Sequence, residues 1–321
     1  MKIGVLTAPW QSQPLEQVLD YVCQQGLEAV EIGTGNYPGN GHCDPFALNK
    51  SKAKRDAFMK AIESRGLILS ALSCHGNPLH PNKKIAKEHH EVHRETVKLA
   101  QKLNVSCVIN FSGLPGGCRT DKVPNWCVAP WPEDHLEAVE YQWNEVAIPY
   151  WKAENRFADR HGVDICFEMH PNFLVYNPET LMRLRKACGE RICANFDPSH
   201  LFWQGIDAPS AIRWLGGDVI KHFHAKDSKV HPWNARVNGV LDTKHYGDEY
   251  HRAWIFRTVG YGHDAGVWRD IVSELRMIGY DYVLSIEHED SLMSAEEGFK
   301  KAVAFLKEAA IAEMPGEMTW A

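Results

Sequence analysis

The stretch Ile192-Cys193-Ala194-Asn195-Phe196-Asp197-Pro198-Ser199-His200 passes from a mostly apolar run into an acid and an imidazole. Three other stretches do the same. Asp164–Phe167 leads into Glu168-Met169-His170. Val219–Phe223 carries His222 and leads into His224-Ala225-Lys226-Asp227. Tyr282–Ile286 leads into Glu287-His288-Glu289-Asp290. Runs this apolar read as strands of a parallel sheet buried on both faces. Charge is costly in such surroundings, so carboxylates and imidazoles gathered at four strand ends point to a site. Hard oxygen donors mixed with imidazole suit a divalent metal.

Outward from these runs, strand-like and helical patterns alternate along the whole chain. Lys2–Thr7, Ala29–Gly33, Ile68–Cys74 and Ser106–Ser112 read as the first four strands. Helical patterns fall at Leu15–Gln25, Ser51–Arg65, Lys87–Asn104, Tyr141–His161, Pro178–Cys188, Ala208–Leu215, Val267–Ile278 and Ala295–Ala310. Gly66, Gly189 and Gly279 stand where helices should stop. Strand–helix alternation implies a parallel sheet with right-handed crossovers, and eight units imply a closed (β/α)8 TIM barrel. An open doubly wound sheet would need a glycine-rich turn after the first strand, and Thr7-Ala8-Pro9-Trp10 is not one. With no linker or repeat in view, residues 1–321 are expected to form one barrel domain.

Two connections, 113–140 and 228–265, are too long to be plain loops. The first holds Gly116-Gly117, Trp126 and Trp131. The second holds Trp233, Trp254, Arg236, Arg257 and His263. Both follow strands and so fall on the face where barrel active sites sit. Their aromatic rings suit stacking on a sugar ring. Packing onto the barrel or a second subunit is the other reading.

The chain has 321 residues and a formal net charge of −6, which disfavours nucleic acid and anionic membrane surfaces as partners. No apolar stretch approaches the roughly 20 residues that span a bilayer. Met1–Leu6 enters a strand directly, without a signal-peptide plan. The nine cysteines are scattered without a CxxC pair, and several lie inside strand-like runs. Reduced thiols in a cytoplasmic protein are the expectation.

Glu168, Asp197, His224 and Glu287 each end a different predicted strand and should converge on one rim as ligands of one divalent metal. A structural ion-pair network through Lys226 and neighbouring arginines is the alternative. His200, His170 and His222 lie close enough to these residues to contact a ligand or to be satisfied core histidines. Lys226 and Asp227 are expected to pair and position His224, and His288, Glu289 and Asp290 to stabilise a loop. His75 in Ser73-Cys74-His75-Gly76-Asn77-Pro78 and Asn110 end strands three and four and offer neutral polar groups for hydroxyls. Glu31, ending the second strand, is a weaker candidate.

The segments Phe167-Glu168-Met169-His170-Pro171, Asp197-Pro198-Ser199-His200, His222-Phe223-His224-Ala225-Lys226-Asp227, Val259-Gly260-Tyr261-Gly262 and Ser285-Ile286-Glu287-His288-Glu289 carry a resemblance. With them the chain resembles the xylose isomerase-like TIM barrel superfamily of sugar phosphate isomerases/epimerases along nearly its whole length. The ketose 3-epimerase branch implies Glu168 and Glu287 as metal ligands and as the acid/base pair. It implies Asp197 and His224 as the remaining metal ligands and His200 as a contact to substrate oxygen. The resemblance is no evidence for phosphate, since no glycine-rich anion loop is present.

The expected chemistry is metal-dependent isomerisation or epimerisation of a keto-sugar or related polyol. The metal chelates carbonyl and hydroxyl oxygens, and an enediolate forms by proton abstraction. Mn²⁺ is the expected ion, with Mg²⁺, Co²⁺ and Zn²⁺ as alternatives. The expected substrate contacts are His200, His170, His75, Asn110, Asp227 and Arg257. A 3-keto-glycoside lyase or epimerase, or an inosose dehydratase, would share the first step. An endonuclease-IV-like repair enzyme is a remote alternative, because Asn110 stands where that branch places a histidine ligand. The expected partner is a small carbohydrate, with a homo-oligomer or accessory subunit as a further partner.

Overall fold

Strand β5 (Asp164–Glu168) is buried from its second residue to its last, as its apolar run requires. It pairs in parallel with β4 (Cys107–Asn110) on one side and β6 (Ile192–Phe196) on the other. The same pattern continues through β1 (Lys2–Leu6), β2 (Ala29–Gly33), β3 (Ile68–Ser73), β7 (Ile220–Ala225) and β10 (Val283–Ile286). A computed structural model, describing residues 1–320, shows these eight strands closed in the order β1-β10-β7-β6-β5-β4-β3-β2. Helices follow the strands and pack an apolar face on the barrel. Among them Pro178–Cys188 and Ala208–Leu215 have the bounds expected from sequence. The protein is a (β/α)8 TIM barrel.

Local chemistry accounts for the helix ends. Ser51 caps Lys52–Glu63, and Asn177 forms a reciprocal capping box with Thr180. The helix expected from Lys87 starts earlier, at Lys83, because Asn82 accepts from the backbone N–H of Lys84. The helix expected over Tyr141–His161 begins at Asp134. It widens into a π-turn over Tyr141–Ala147 before resuming as α-helix from Ile148. Pro149 has no N–H to give the preceding turn, which is where the regular ladder breaks. Gln142, in the widened turn, donates to the carbonyls of Gly116 and Asn125 and ties down the first long connection.

The second long connection carries structure of its own. Asp227–Val230 (β8) and Trp254–Arg257 (β9) form an antiparallel pair, with a helix over Pro232–Asn238 between them. No helix of the described residues is long and apolar enough to cross a membrane.

Candidate functional site

Parallel register brings the C-terminal ends of β5, β6, β7 and β10 to one rim. Glu168 closes β5, Asp197 follows β6, His224 lies in β7 and Glu287 follows β10. One donor atom from each lies within 4.8 Å of the others. His224 Nδ1 stands 3.0 Å from both Glu168 Oε2 and Glu287 Oε2. Asp197 Oδ2, His224 Nδ1 and Glu287 Oε2 are buried and make no well-aligned hydrogen bond among the described residues. The Lys226 ammonium, 3.1 Å from Asp197 Oδ2 and 2.8 Å from Glu287 Oε2, is the one cation beside these three atoms, which face one another here. The donor set, three carboxylates and an imidazole, fits a hard divalent cation.

The imidazole of His224 is held from behind. Its Nε2 lies 2.9 and 3.0 Å from the two oxygens of Glu31, which also accept from Ser73 and, at 2.7 Å, from Ser285. A proton kept on Nε2 leaves Nδ1 to face the rim, the usual support of a metal-binding histidine. Burial alone would raise the Glu31 pKa, but His224, His222 and Ser73 outweigh it and bring it to about 2. This supporting role was missed in the sequence. The available signal was a carboxylate inside a strand whose five residues are all buried.

Lys226 pairs with other carboxylates than the expected Asp227. Its Nζ lies 3.1 Å from Asp197, 2.8 Å from Glu287 and 3.0 Å from Glu289. It lies just past the end of β7, two residues after His224, and its cation enters the same cluster. Glu168, Asp197, Glu287 and Glu289 together outnumber this single cation, and a divalent ion would offset two of the three charges left over. Burial raises the Asp197 pKa despite Lys226 and His200. Burial also acts on Glu168 and Glu287. There His200, His224 and His75, and Lys226 with His224, respectively, more than reverse it, so both carboxyls fall well below the usual range.

His200, His75 and His170 reach the rim. His200 Nε2 lies 2.9 Å from Glu168 Oε1, and His75 Nε2 lies 3.2 Å from Glu168 Oε2. His170 packs on His200 with ring centres 4.1 Å apart, and burial pushes its pKa down to about 3. His222 sits deeper in the barrel, between Asn195 and Ser70, as a satisfied core histidine. A cavity of about 260 Å³ opens over the cluster, bordered by His75, Phe111, Glu168, His170, Lys226 and Glu287. A larger surface groove of about 560 Å³, beside Trp143 and Trp214, touches none of the four donors.

Three expected substrate contacts are placed otherwise. The Asp227 carboxylate accepts from the backbone N–H groups of Gly260, Gly262 and His263 and from the Trp268 indole, while His263 Nδ1 lies 2.7 Å away. It pins the Val259–Gly262 turn. There a Cβ on Gly262 would lie 2.2 Å from the Ser228 carbonyl. Arg257 donates to Asp290 at 3.0 Å instead of facing the cavity. Asn110 accepts from the N–H of Gly76 and Phe111 and contacts His93. Each ties at least one polar atom to a loop that frames the rim. Asp290, which also accepts from Thr258 N, stabilises a loop as expected.

Comparison with known proteins places this geometry. A family model described as xylose isomerase-like TIM barrel matches residues 19–309. The chain is 40% identical over 311 residues to YfiH of Bacillus subtilis (strain 168), covering 96% of this chain and 99% of that protein. Three solved structures share the fold at a TM-score of 0.63 and 96% coverage of this chain. They are the probable 3-DHS dehydratase AsbF of Bacillus anthracis (15% identical, 99% of that chain covered), a D-tagatose 3-epimerase-like protein (18%, 98%) and the IOLI protein with a binding zinc atom (17%, 98%). The match of the family model across most of its length shows that the chain belongs to the xylose isomerase-like TIM barrel family.

Proposed function

We propose that the protein is a divalent-metal-dependent isomerase or epimerase of a keto-sugar or related polyol, working by proton transfer beside a carbonyl. The observation that carries this reading is a pair of carboxylates, the buried Glu168 and the partly buried Glu287, which border one cavity at the ends of β5 and β10. Both are held in the ionised state a base requires. Glu168, Asp197, His224 and Glu287 would hold the cation, Mn²⁺ by the hardness of the set, with Mg²⁺, Co²⁺ and Zn²⁺ as alternatives. Bound there, such an ion acidifies the carbon acid and offsets charge developing on oxygen.

The side chains divide the remaining work. One glutamate takes the proton from one face of the substrate and later releases it to water; the other takes up a proton from water and delivers it to the opposite face. His200 and His75 orient Glu168 through its two oxygens. His170, neutral because its pKa is depressed, offers a hydrogen bond without a charge. Phe111 and Leu6 shield the cavity from bulk water. A substrate with a leaving group β to the carbonyl would be eliminated after the same first step. The natural substrate is a small carbohydrate and the setting cytoplasmic in this reading.

The test is a panel of ketoses, inososes and 3-keto-glycosides with Mn²⁺ in D₂O, followed by NMR. Metal-stripped protein should saturate with Mn²⁺ at about one equivalent per chain. Deuterium should appear at the carbon beside the carbonyl. Glu168→Gln and Glu287→Gln, checked for metal content, should each lose at least about a hundredfold in turnover. Full activity in both variants removes the proton-transfer reading. Saturation near three equivalents moves the protein to the nuclease branch.

A further inference from the structure

The two carboxylate oxygens of Glu168 face different neighbours. Oε2 lies among the four donors, 3.0 Å from His224 Nδ1. Oε1 lies 2.9 Å from His200 Nε2, and His170 packs on the His200 ring. One donor atom from each of Glu168, His170 and His200 lies within 4.8 Å of the others. This second group shares only Glu168 with the first. It also stands between two openings. The half-buried His170 borders both the cavity over the four donors and a neighbouring cavity of about 260 Å³. Glu168 borders the first of these and His200 the second.

His170 is prepared as a ligand. Its Nδ1 meets the Pro171 carbonyl oxygen. A carbonyl only accepts, so that nitrogen carries the proton and Nε2 keeps its lone pair. A histidine anchored through one nitrogen presents the other to a metal, as His224 does with Glu31 behind it. At His200, coordination through Nε2 places the proton on Nδ1 with no change of charge. Charge also favours a second ion. Glu168, Asp197, Glu287 and Glu289, together with Lys226 and one divalent ion, leave one negative charge uncompensated. The two donor sets differ in softness. The first offers three carboxylates and an imidazole, the second two imidazoles and one carboxylate oxygen. Two nitrogens, one oxygen and a position open to water suit Zn²⁺ better than Mn²⁺ or Mg²⁺.

We propose that Glu168, His170 and His200 form a second cation site, selective for Zn²⁺, whose occupancy withdraws Glu168 from proton transfer. The inhibitory clause rests on the proton-transfer reading of Glu168, and the site itself does not. An ion on Oε1 competes with the proton that Glu168 must accept. It also occupies the space beside His170 that opens into the cavity over the four donors. Zn²⁺ therefore inhibits without displacing the ion on the four donors.

The test titrates metal-stripped protein with Zn²⁺, and separately with Mn²⁺, against a chromophoric chelator. Wild type should take about two equivalents of Zn²⁺ and about one of Mn²⁺ in competition with the chelator. His170→Phe keeps a ring of similar shape without a nitrogen and should take about one of each. His170→Ala should give the same counts, so the result does not hang on one substitution. Asp197→Asn damages only the first site and should keep about one tight equivalent of Zn²⁺. The Tm of each stripped variant checks that it folds. A single equivalent of Zn²⁺ in wild type overturns the proposal, as does a second equivalent that survives both His170 variants. A second equivalent of Mn²⁺ overturns the selectivity. Inhibition is read on Mn²⁺-loaded protein with the best keto-sugar of the panel. One further equivalent of Zn²⁺ should lower kcat at least about tenfold while Mn²⁺ stays bound. It should not lower the residual kcat of His170→Phe. Inhibition that tracks Mn²⁺ release, or equal inhibition of both proteins, overturns the inhibitory clause. Failure of the proton-transfer reading looks different: no keto-sugar exchanges a proton at all, and the Zn²⁺ stoichiometries still decide the site.

Discussion

Glu31→Gln should weaken metal binding without unfolding the barrel. Glu31 is fully buried and accepts from His224, Ser73 and Ser285. Its charge keeps the proton on His224 Nε2 and makes Nδ1 a better donor to a cation at the rim. Glutamine has the same shape but no charge, and its amide can offer hydrogens where the carboxylate only accepts. Loss of such a partner behind a ligating histidine costs about 10- to 100-fold in affinity. At about 1.4 kcal/mol per tenfold, that is roughly 1.4 to 2.8 kcal/mol. Ser285→Ala removes only one neutral hydrogen bond to the same carboxylate, worth about 1 kcal/mol, or roughly fivefold. The assay is competition of the metal-stripped protein against a chromophoric chelator for Mn²⁺, with thermal unfolding of each variant in parallel. Glu31→Gln affinity within about twofold of wild type, with an unchanged Tm, refutes the idea that Glu31 tunes His224. A fall in Tm with unchanged affinity assigns Glu31 to barrel stability alone.

Asp227→Ala strips acceptors from four backbone N–H groups, those of Ser228, Gly260, Gly262 and His263, and from the Trp268 indole. Each buried donor left unsatisfied costs about 1–3 kcal/mol, so unfolding in urea should show a loss of at least about 3 kcal/mol. The metal stoichiometry of the folded fraction should not change, and a loss of metal with full stability would return Asp227 to the ligand-binding groups. A second prediction concerns acid stability. Burial alone would raise the Glu154 pKa, but His93 and Arg94 reverse it and lower it from 4.5 to about 2. A depressed carboxyl contributes stability above its unfolded pKa and loses it as pH falls through the folded value. The stability advantage of wild type over Glu154→Gln should therefore be full above about pH 5 and shrink toward pH 2. An advantage that stays constant across that range, measured by urea unfolding, excludes the ionised carboxylate as its source.

Side chains at strand ends were legible because local pattern places them. A run such as Ile192–Phe196 must be buried, and the first charged residue beyond it, Asp197, must emerge at the rim. Glu168, His224 and Glu287 follow from the same logic, and closure of eight parallel strands brings them to one place. Asp227, Arg257 and Asn110 lie in comparable positions, yet each has a polar atom engaged by a loop, at Gly262, Asp290 and Gly76 respectively. Sequence position carries an end to the rim. It does not say which partner reaches it first, because those partners come from distant loops.

Residue pattern is enough to specify the alternation, the parallel barrel, the rim it presents and the four polar residues at the ends of β5, β6, β7 and β10. Hydrophobic period and chain direction settle these locally, and strand connections of one handedness do the rest. Tertiary structure alone decided that Glu31 backs His224 across the barrel and that Lys226 turns to three carboxylates rather than to Asp227. It also decided that Trp126 and Trp254, more than a hundred residues apart, wall one compartment. These pairings depend on how side chains from separate elements compete for the same buried space. Packing resolves that competition through the cost of leaving any buried charge or N–H unpaired.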